Sequence, residues 1–282
     1  MHVIFDDMDT DPMSPLNSPT TDARQTLNQG DWPLMPTPGF VKGPVHSPAI
    51  GLLELSVEVV MAKELLAFCP PQASLYTGRM AFSGETTVEG LSAVAKNVTS
   101  AAALLPEAQW MHAIVYGCTS GTIVLGQERV AALVHHVRPN VPVVTPIGAV
   151  LKALRALGLG KVAVVTPYVP EINRLVAQTL DAADIEIVNA RTFGQRDAEN
   201  MFRTPAEAFL EAALVADSPD ADGIFISCTG ICVSPIIREL ERRTGKPVVT
   251  SNQAIAWQCR EIAGTPETEH DLGGLFRQRL VD

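Results

Sequence analysis

At 282 residues the chain is long enough for about two structural units with their own cores, which excludes a disulfide-stapled miniprotein. With 46% hydrophobic and 18% charged residues and no run of about 18 apolar residues, it reads as soluble and globular, without a membrane-spanning helix. Twenty-one basic and 31 acidic residues leave a net charge of -10, which lacks the concentrated basic face that a phosphate backbone requires and argues against nucleic acid as a partner.

The N-terminal stretch differs from the rest. Asp6, Asp7, Asp9 and Asp11 stand where a secretory signal would carry basic residues ahead of an apolar core, so none is expected. The five cysteines, Cys69, Cys118, Cys228, Cys232 and Cys259, are odd in number and widely spaced, which suits reduced thiols in a cytoplasmic protein. Eight of the 21 prolines lie at or before Pro48, and six aspartates face one basic residue, Arg24, between Met1 and Asp31. Residues 1–45 therefore read as an extended arm, either disordered or laid across the body or a second subunit, as a homo-oligomer would allow.

From Ile50 onward, short β-branched runs alternate with helix-period segments, as in α/β units with parallel strands. Strands are predicted at 51–55, 112–117, 142–145, 161–166, 185–190, 223–227 and 247–250. Val88, Leu91, Val94, Val98 and Leu105 repeat at helical spacing, as do Val130, Val134 and Val137, with Pro106 and Pro139 ending those helices. Ser234-Pro235 reads as an N-cap with Pro at the first helical position, and Gly245 as the C-terminal stop.

The chain also repeats itself. YGCTSGT (116–122) matches SCTGICV (227–233), and VPVVTPIGAVLKALRALG (141–158) matches KPVVTSNQAIAWQCREIAG (246–264). Two copies of strand, Cys-Thr turn, helix, PVVT and helix imply two parallel-sheet lobes related by a pseudo-twofold axis, lobe 1 spanning 46–147 plus 254–282 and lobe 2 spanning 148–253. The Cys-Thr turns would face one another, at the carboxyl ends of strands where open parallel sheets bind ligands.

A thiol at such a strand end, followed by a helix, lies near unpaired N–H groups that can hold a carboxylate. The same positive end is expected to lower a thiol pKa from about 8.5, making thiolate accessible near neutral pH. A carboxylate held between Cys118 and Cys228 would have a base on one face of its α-carbon and an acid on the other, which suits inversion or isomerisation without a cofactor. Cys232 follows Cys228 by four residues, but no second Cys or His pair follows at zinc-site spacing, so no metal is expected. Cys69 and Cys259 read as packing residues, and His112, His135 and His136 as structural. GLGKVA (158–163) precedes a strand, whereas a dinucleotide-binding turn must follow one.

At these residues the chain resembles the aspartate/glutamate racemase superfamily, in the branch that holds maleate cis-trans isomerases and arylmalonate decarboxylases. The likeness covers about residues 48–265. It implies two α/β lobes with a cofactor-independent site between them, Cys118 and Cys228 as catalytic thiols, and N–H groups around Thr119, Ser120, Thr229 and Gly230 holding a small carboxylate substrate. Tyr168 falls where the isomerases place a substrate-binding tyrosine. Arylmalonate decarboxylases have Gly at the first cysteine position, so Cys118 argues against decarboxylation.

Two departures concern a second substrate carboxylate. Leu55-Ser56-Val57-Glu58 puts Glu58 where the isomerases carry an Asn, and Arg196-Asp197-Ala198-Glu199 puts Asp197 where a second Asn is expected. Two acids would repel a dicarboxylate and favour an ammonium or amidinium group. These departures and the N-terminal arm also make the chain similar to ectoine-utilisation proteins of the superfamily, whose substrate is a cyclic amidine with one carboxylate. The preferred reading is a two-cysteine racemase or epimerase acting on such a carboxylate. A maleate-type isomerase with a covalent Cys118 adduct, and a catalytically degenerate regulator that binds a small molecule, are the alternatives.

Overall fold

The computed structural model describes residues 48–107, 110–265 and 272–280, with isolated residues 29, 32, 34 and 36 ahead of them. The chain falls into two units, Met1–Val41 and Lys42–Asp282, and every helix and strand among the described residues lies in the second. The arm expected over residues 1–45 lies outside the described residues, apart from those isolated positions.

In chain order the elements are β1 (Ala49–Leu55), α1 (Met61–Ala67), β2 (Ser74–Met80), α2 (Val88–Ala93), α3 (Ala95–Ala103), β3 (Ala113–Gly117), α4 (Thr119–Leu125), α5 (Gln127–His135), β4 (Val143–Val144) and α6 (Pro146–Ala156). Then come β5 (Lys161–Tyr168), α7 (Pro170–Asp181), β6 (Glu186–Gln195), α8 (Ala198–Arg203), α9 (Ala206–Ala216), β7 (Gly223–Ile226), α10 (Ile237–Thr244), β8 (Val248–Thr250) and α11 (Ser251–Ile262). The strands form two four-stranded sheets, ordered β2-β1-β3-β4 and β6-β5-β7-β8, with every pairing parallel. The second order is the first displaced by four strands, so the sequence repeat is a repeat of topology. The inner strands β1, β3 and β7 are buried along their whole length and β5 all but its first residue, which is why they read as continuous apolar runs rather than alternating ones.

Three local expectations needed correction. SLYTGRM (74–80) is a strand, β2, that pairs residue by residue with β1; its half-exposed pattern and Gly78 hide it from a search for apolar runs. The helix expected from Val88 to Leu105 is broken at Val94, where Val94 N–H donates to the Leu91 carbonyl and Asn97 N–H to the Val94 carbonyl, the tighter i to i+3 pattern. Ser234 is not the N-cap of α10: Ser234–Ile236 form a 3-10 turn ahead of it. Gly245 does end α10, in the left-handed conformation at φ 68°.

α11 packs against α1, α6, β3, β4 and β8, and Ser251 to Arg260 are all buried. Its Arg260 side chain is 1% exposed; it donates to the carbonyls of Phe68 and Thr265 and lies over the Phe276 ring, so its charge is buried with partners. Thr250 caps the helix in a reciprocal capping box with Gln253. No helix among the described residues is long and apolar enough to cross a membrane.

Candidate active site

The strands that lie inside each sheet deliver the sequence-identified residues at their carboxyl ends. β1 leads to Glu58, β3 to Cys118, β5 ends on Tyr168, and β7 leads to Cys228. In each sheet the connection reverses direction at these inner strands, and it is beyond such strand ends that open parallel sheets bind ligands.

Hydrogen bonds interlock the two cysteine turns. The Thr229 hydroxyl donates to the carbonyl of Gly117 at 3.2 Å, joining the residue after one cysteine to the residue before the other. In the opposite sense the Thr119 hydroxyl donates to Ser251 Oγ at 3.0 Å, and the same oxygen accepts the Cys228 N–H at 3.2 Å. Thr119, Ser120 and Thr229 are 1%, 4% and 3% exposed, so these bonds form away from water, where losing one is costly.

Cys118 and Cys228 are both buried. Cys118 Sγ accepts the Gly121 N–H at 3.2 Å, as the N-cap of α4, and lies 3.5 Å from Ser120 Oγ. Cys228 Sγ accepts the Gly230 N–H at 3.3 Å, and the neighbouring Tyr168 phenol favours its thiolate. The expectation of depressed thiol pKa values is overturned. Burial pushes Cys118 up and Cys228 up to about 12, because removing a thiolate from water outweighs the donors that oppose it. The Gly230 N–H, one of those expected around a substrate carboxylate, is directed at Cys228 Sγ, and the Gly121 N–H at Cys118 Sγ.

Tyr168 is 1% exposed, and its hydroxyl accepts from Ser227 Oγ at 3.4 Å. Burial and the neighbouring Cys228 and Cys118 hold this phenol protonated, as a donor.

Glu58 is 3% exposed. Its Oε1 accepts the N–H groups of Val59, Val60 and Met61 at 2.9, 2.7 and 3.1 Å, which ties it to the turn that leads into α1. Its Oε2 faces the second cysteine turn: a Cβ added at Gly230 would meet that oxygen at 3.0 Å and the Phe202 ring at 2.4 Å. Only glycine lets the turn come this close. Burial raises the Glu58 carboxyl above the usual range, against the three N–H donors and Arg79, and its charge is felt at both thiols. Glu58 thus belongs to the thiol cluster.

Asp197 does not. It is exposed, and its Oδ1 accepts the Glu199 N–H at 2.8 Å as the N-cap of α8. Its backbone forms an antiparallel bridge with Glu85, flanked by Thr86 N–H to the Arg196 carbonyl at 2.8 Å and Ala198 N–H to the Gly84 carbonyl at 2.9 Å. The residue thus lies in a clasp between the loops after β2 and β6.

Sequence reasoning missed Ser251, Asn252, Phe202 and Glu64. Glu64, on α1 and 2% exposed, accepts from the N–H groups of Val233 and Ser234 and from the Ser234 hydroxyl, pinning the chain that leaves the Cys228 turn. The mismatch between Ser251-Asn252 and Pro146-Ile147 in the repeat was the available signal for the first two. Cys69 and Cys259 are raised by burial, and the His112 ring accepts the Ala49 N–H, as packing and structural roles require. Among the described residues no group of three or more His, Cys, Asp or Glu is arranged to hold a metal ion.

The arylmalonate decarboxylase family model matches residues 68–276. The chain is 34% identical over 185 residues to arylmalonate decarboxylase of Bordetella bronchiseptica, covering 64% of this chain and 77% of that one. It is 31% identical over 135 residues to maleate isomerase of Nocardia farcinica, covering 46% and 53%. Among solved structures, a double mutant of arylmalonate decarboxylase in the liganded form superposes with a TM-score of 0.73 at 30% identity, over 82% of this chain and 99% of that one. A cysteine-to-serine mutant of Nocardia farcinica maleate cis-trans isomerase, with a covalently bound succinylcysteine intermediate, superposes with a TM-score of 0.76 at 26% identity, over 81% and 98%. With the family match running from the end of α1 to beyond α11, and with both lobes shared by these structures, the chain belongs to the arylmalonate decarboxylase family, in the aspartate/glutamate racemase-like branch that also holds the maleate isomerases.

Proposed function

We propose that this chain is a cofactor-independent isomerase of the racemase or epimerase kind, in which Cys118 and Cys228 exchange protons with opposite faces of a carbon beside a small carboxylate. The observation that supports the reading is the interlock of the two cysteine turns through Thr229, Thr119 and Ser251, which holds one turn against the other. One thiolate takes the α-proton, the electron pair passes into the substrate carboxylate, and the opposite thiol returns a proton to the other face. The sulfurs end with their protonation exchanged and no external electron acceptor is needed. Because burial holds both thiols up, the base form is a minority species, and the donors from Gly121, Gly230 and Tyr168 set how much of it exists.

Glu58 supports a substrate that also carries an ammonium or amidinium group, of which an ectoine-type cyclic amidine is one example. Its carboxylate occupies three N–H donors at the start of α1 and sets a negative charge beside both thiols. A second substrate carboxylate would meet repulsion there and a cation attraction.

A second reading, maleate-type isomerisation, is favoured by the likeness to an isomerase that carries a succinylcysteine. Here the Cys118 thiolate would add to the alkene and Cys228 would protonate the resulting carbanion; after rotation about the new single bond the Cys228 thiolate would take a proton back from that carbon, and the electron pair would re-form the alkene as Cys118 leaves as thiolate. Incubation with maleate followed by mass spectrometry separates the two readings: a succinyl adduct on Cys118 supports the second and its absence the first. No solvent exchange into any member of a small-carboxylate panel would favour a regulator that only binds. A thermal-shift comparison of carboxylates with and without an amine or amidine tests the charge argument directly.

A further inference from the structure

The internal repeat pairs VPVVTPIGAV with KPVVTSNQAI, so lobe 1 has Pro146 and Ile147 where the start of α11 has Ser251 and Asn252. The first pair offers no side-chain hydrogen bond. The second is polar yet fully buried, each residue 0% exposed, and both members are spent on the Cys228 turn. Ser251 Oγ accepts the Cys228 N–H at 3.2 Å, and Asn252 Nδ2 donates to the Thr229 carbonyl at 2.9 Å, gripping the turn on both sides. Asn252 Oδ1 is left without a partner among the described residues, so this grip is retained at a cost.

What the grip holds is an unusual backbone. Cys228 has φ 143°, and among the described residues Asp184 is the only other non-glycine at positive φ. Cys118, its counterpart in the repeat, sits at φ -153° in ordinary extended backbone, and its N–H closes on the Tyr116 carbonyl without help from a side chain. A residue with a Cβ stays at positive φ only where its surroundings over-determine it. Here the surroundings are Ser251 and Asn252, and the same Ser251 oxygen also accepts the Thr119 hydroxyl.

We infer that Ser251 and Asn252 are positioning residues that lock Cys228 at positive φ, keep its Sγ on the Gly230 N–H, and register it against the Cys118 turn. The two thiols are thereby unequal: Cys228 depends on the clamp and Cys118 does not. As a statement about catalysis this rests on Cys228 being one of the acid-base pair; as a statement about geometry it does not.

The test is site-resolved alkylation of the folded protein by iodoacetamide between about pH 8 and 10, with Cys69 as internal control. Ser251→Ala removes the acceptor. Ser251→Pro removes it by copying lobe 1, with proline at a first helical position where it is tolerated. Ser251→Thr keeps it. Alkylation of Cys228 should slow at least about threefold at each pH in the Ala and Pro variants, because Sγ loses the Gly230 donor that stabilises thiolate, and Ser251→Thr should restore it to within about twofold. Cys69 should be unchanged. If either Ala or Pro variant fails to fold, the other decides, and if both fail Asn252→Ala is read by the same criterion. Unchanged or faster labelling of Cys228, a Thr variant as slow as Ala, or parallel slowing at Cys69 would overturn the inference. The catalytic reading fails separately, if Cys228→Ser still inverts a substrate.

Discussion

Thr229 and Gly117 are 112 residues apart in the chain and 3.2 Å apart in space, hydroxyl to carbonyl. Thr229 follows Cys228 and Gly117 precedes Cys118, so the bond fixes one cysteine turn against the other without involving either sulfur. Thr229→Val keeps the shape and removes the donor, and with it the bond between the two turns. A loss of about 1 to 2 kcal/mol is expected in denaturant unfolding, with Thr229→Ser within about 0.5 kcal/mol of wild type. Equal losses in the two variants would show that the methyl group, not the hydroxyl, holds the turns together.

The raised thiols give a pH dependence of definite sign. Thiolate is the reactive form, and burial moves its appearance upward at both Cys118 and Cys228. Alkylation of Cys228 should therefore climb by about tenfold per pH unit between pH 8 and 10 with no plateau, since its titration lies near 12. A plateau below about pH 8 at either cysteine would mean that the N–H donors outweigh burial after all.

Glu58 and Asp197 looked equivalent in sequence and are separated by the structure. Glu58→Asn should weaken binding of amine- or amidine-bearing carboxylates by at least about tenfold and improve binding of dicarboxylates, a net effect of about 1 to 2 kcal/mol after desolvation offsets much of the Coulomb attraction. Because the Glu58 carboxyl titrates above its ordinary range, affinity for a cationic ligand should rise with pH through that titration and affinity for a dicarboxylate should fall. Asp197→Asn should change neither, as Asn caps a helix about as well as Asp, whereas Asp197→Ala should cost about 1 kcal/mol of stability. Paired titrations of wild type and variants at one salt concentration check all three.

Glu64 reaches from α1 to the backbone of Val233 and Ser234. Glu64→Ala leaves those buried donors unpaired and should cost about 2 to 3 kcal/mol in denaturant unfolding, more than a surface carboxylate would. A loss below about 0.5 kcal/mol would mean that water takes over the bonds.

Much of this was legible in the sequence. The repeat of Cys-Thr turns and PVVT helices identified two parallel sheets of one topology, because parallel strands buried on both faces write themselves as apolar runs. β2 was not legible, since a half-exposed edge strand carries neither a run nor a clean alternation. The rest of the site depends on contacts between distant parts of the chain. Glu58 and Asp197 stand at analogous motif positions, yet one is buried against Gly230 and the other is an exposed cap, and only tertiary packing separates them. The thiol pKa values were misread for a related reason: a helix N-terminus is visible in sequence, but the depth of burial that opposes it is not.

The measurement that bears most directly on the two-thiol account is stereochemical conversion in deuterated water. Enantiopure α-amino and cyclic amidine carboxylates are incubated with wild type, Cys118→Ser and Cys228→Ser, then resolved by chiral chromatography and mass spectrometry. The account predicts that wild type converts at least one member of the panel with a single deuterium gained at the α-carbon. Each serine variant should lose net conversion while still exchanging one enantiomer on its own face. Full conversion by either serine variant, or a wild type that isomerises maleate through a Cys118 adduct and exchanges nothing else, would contradict it.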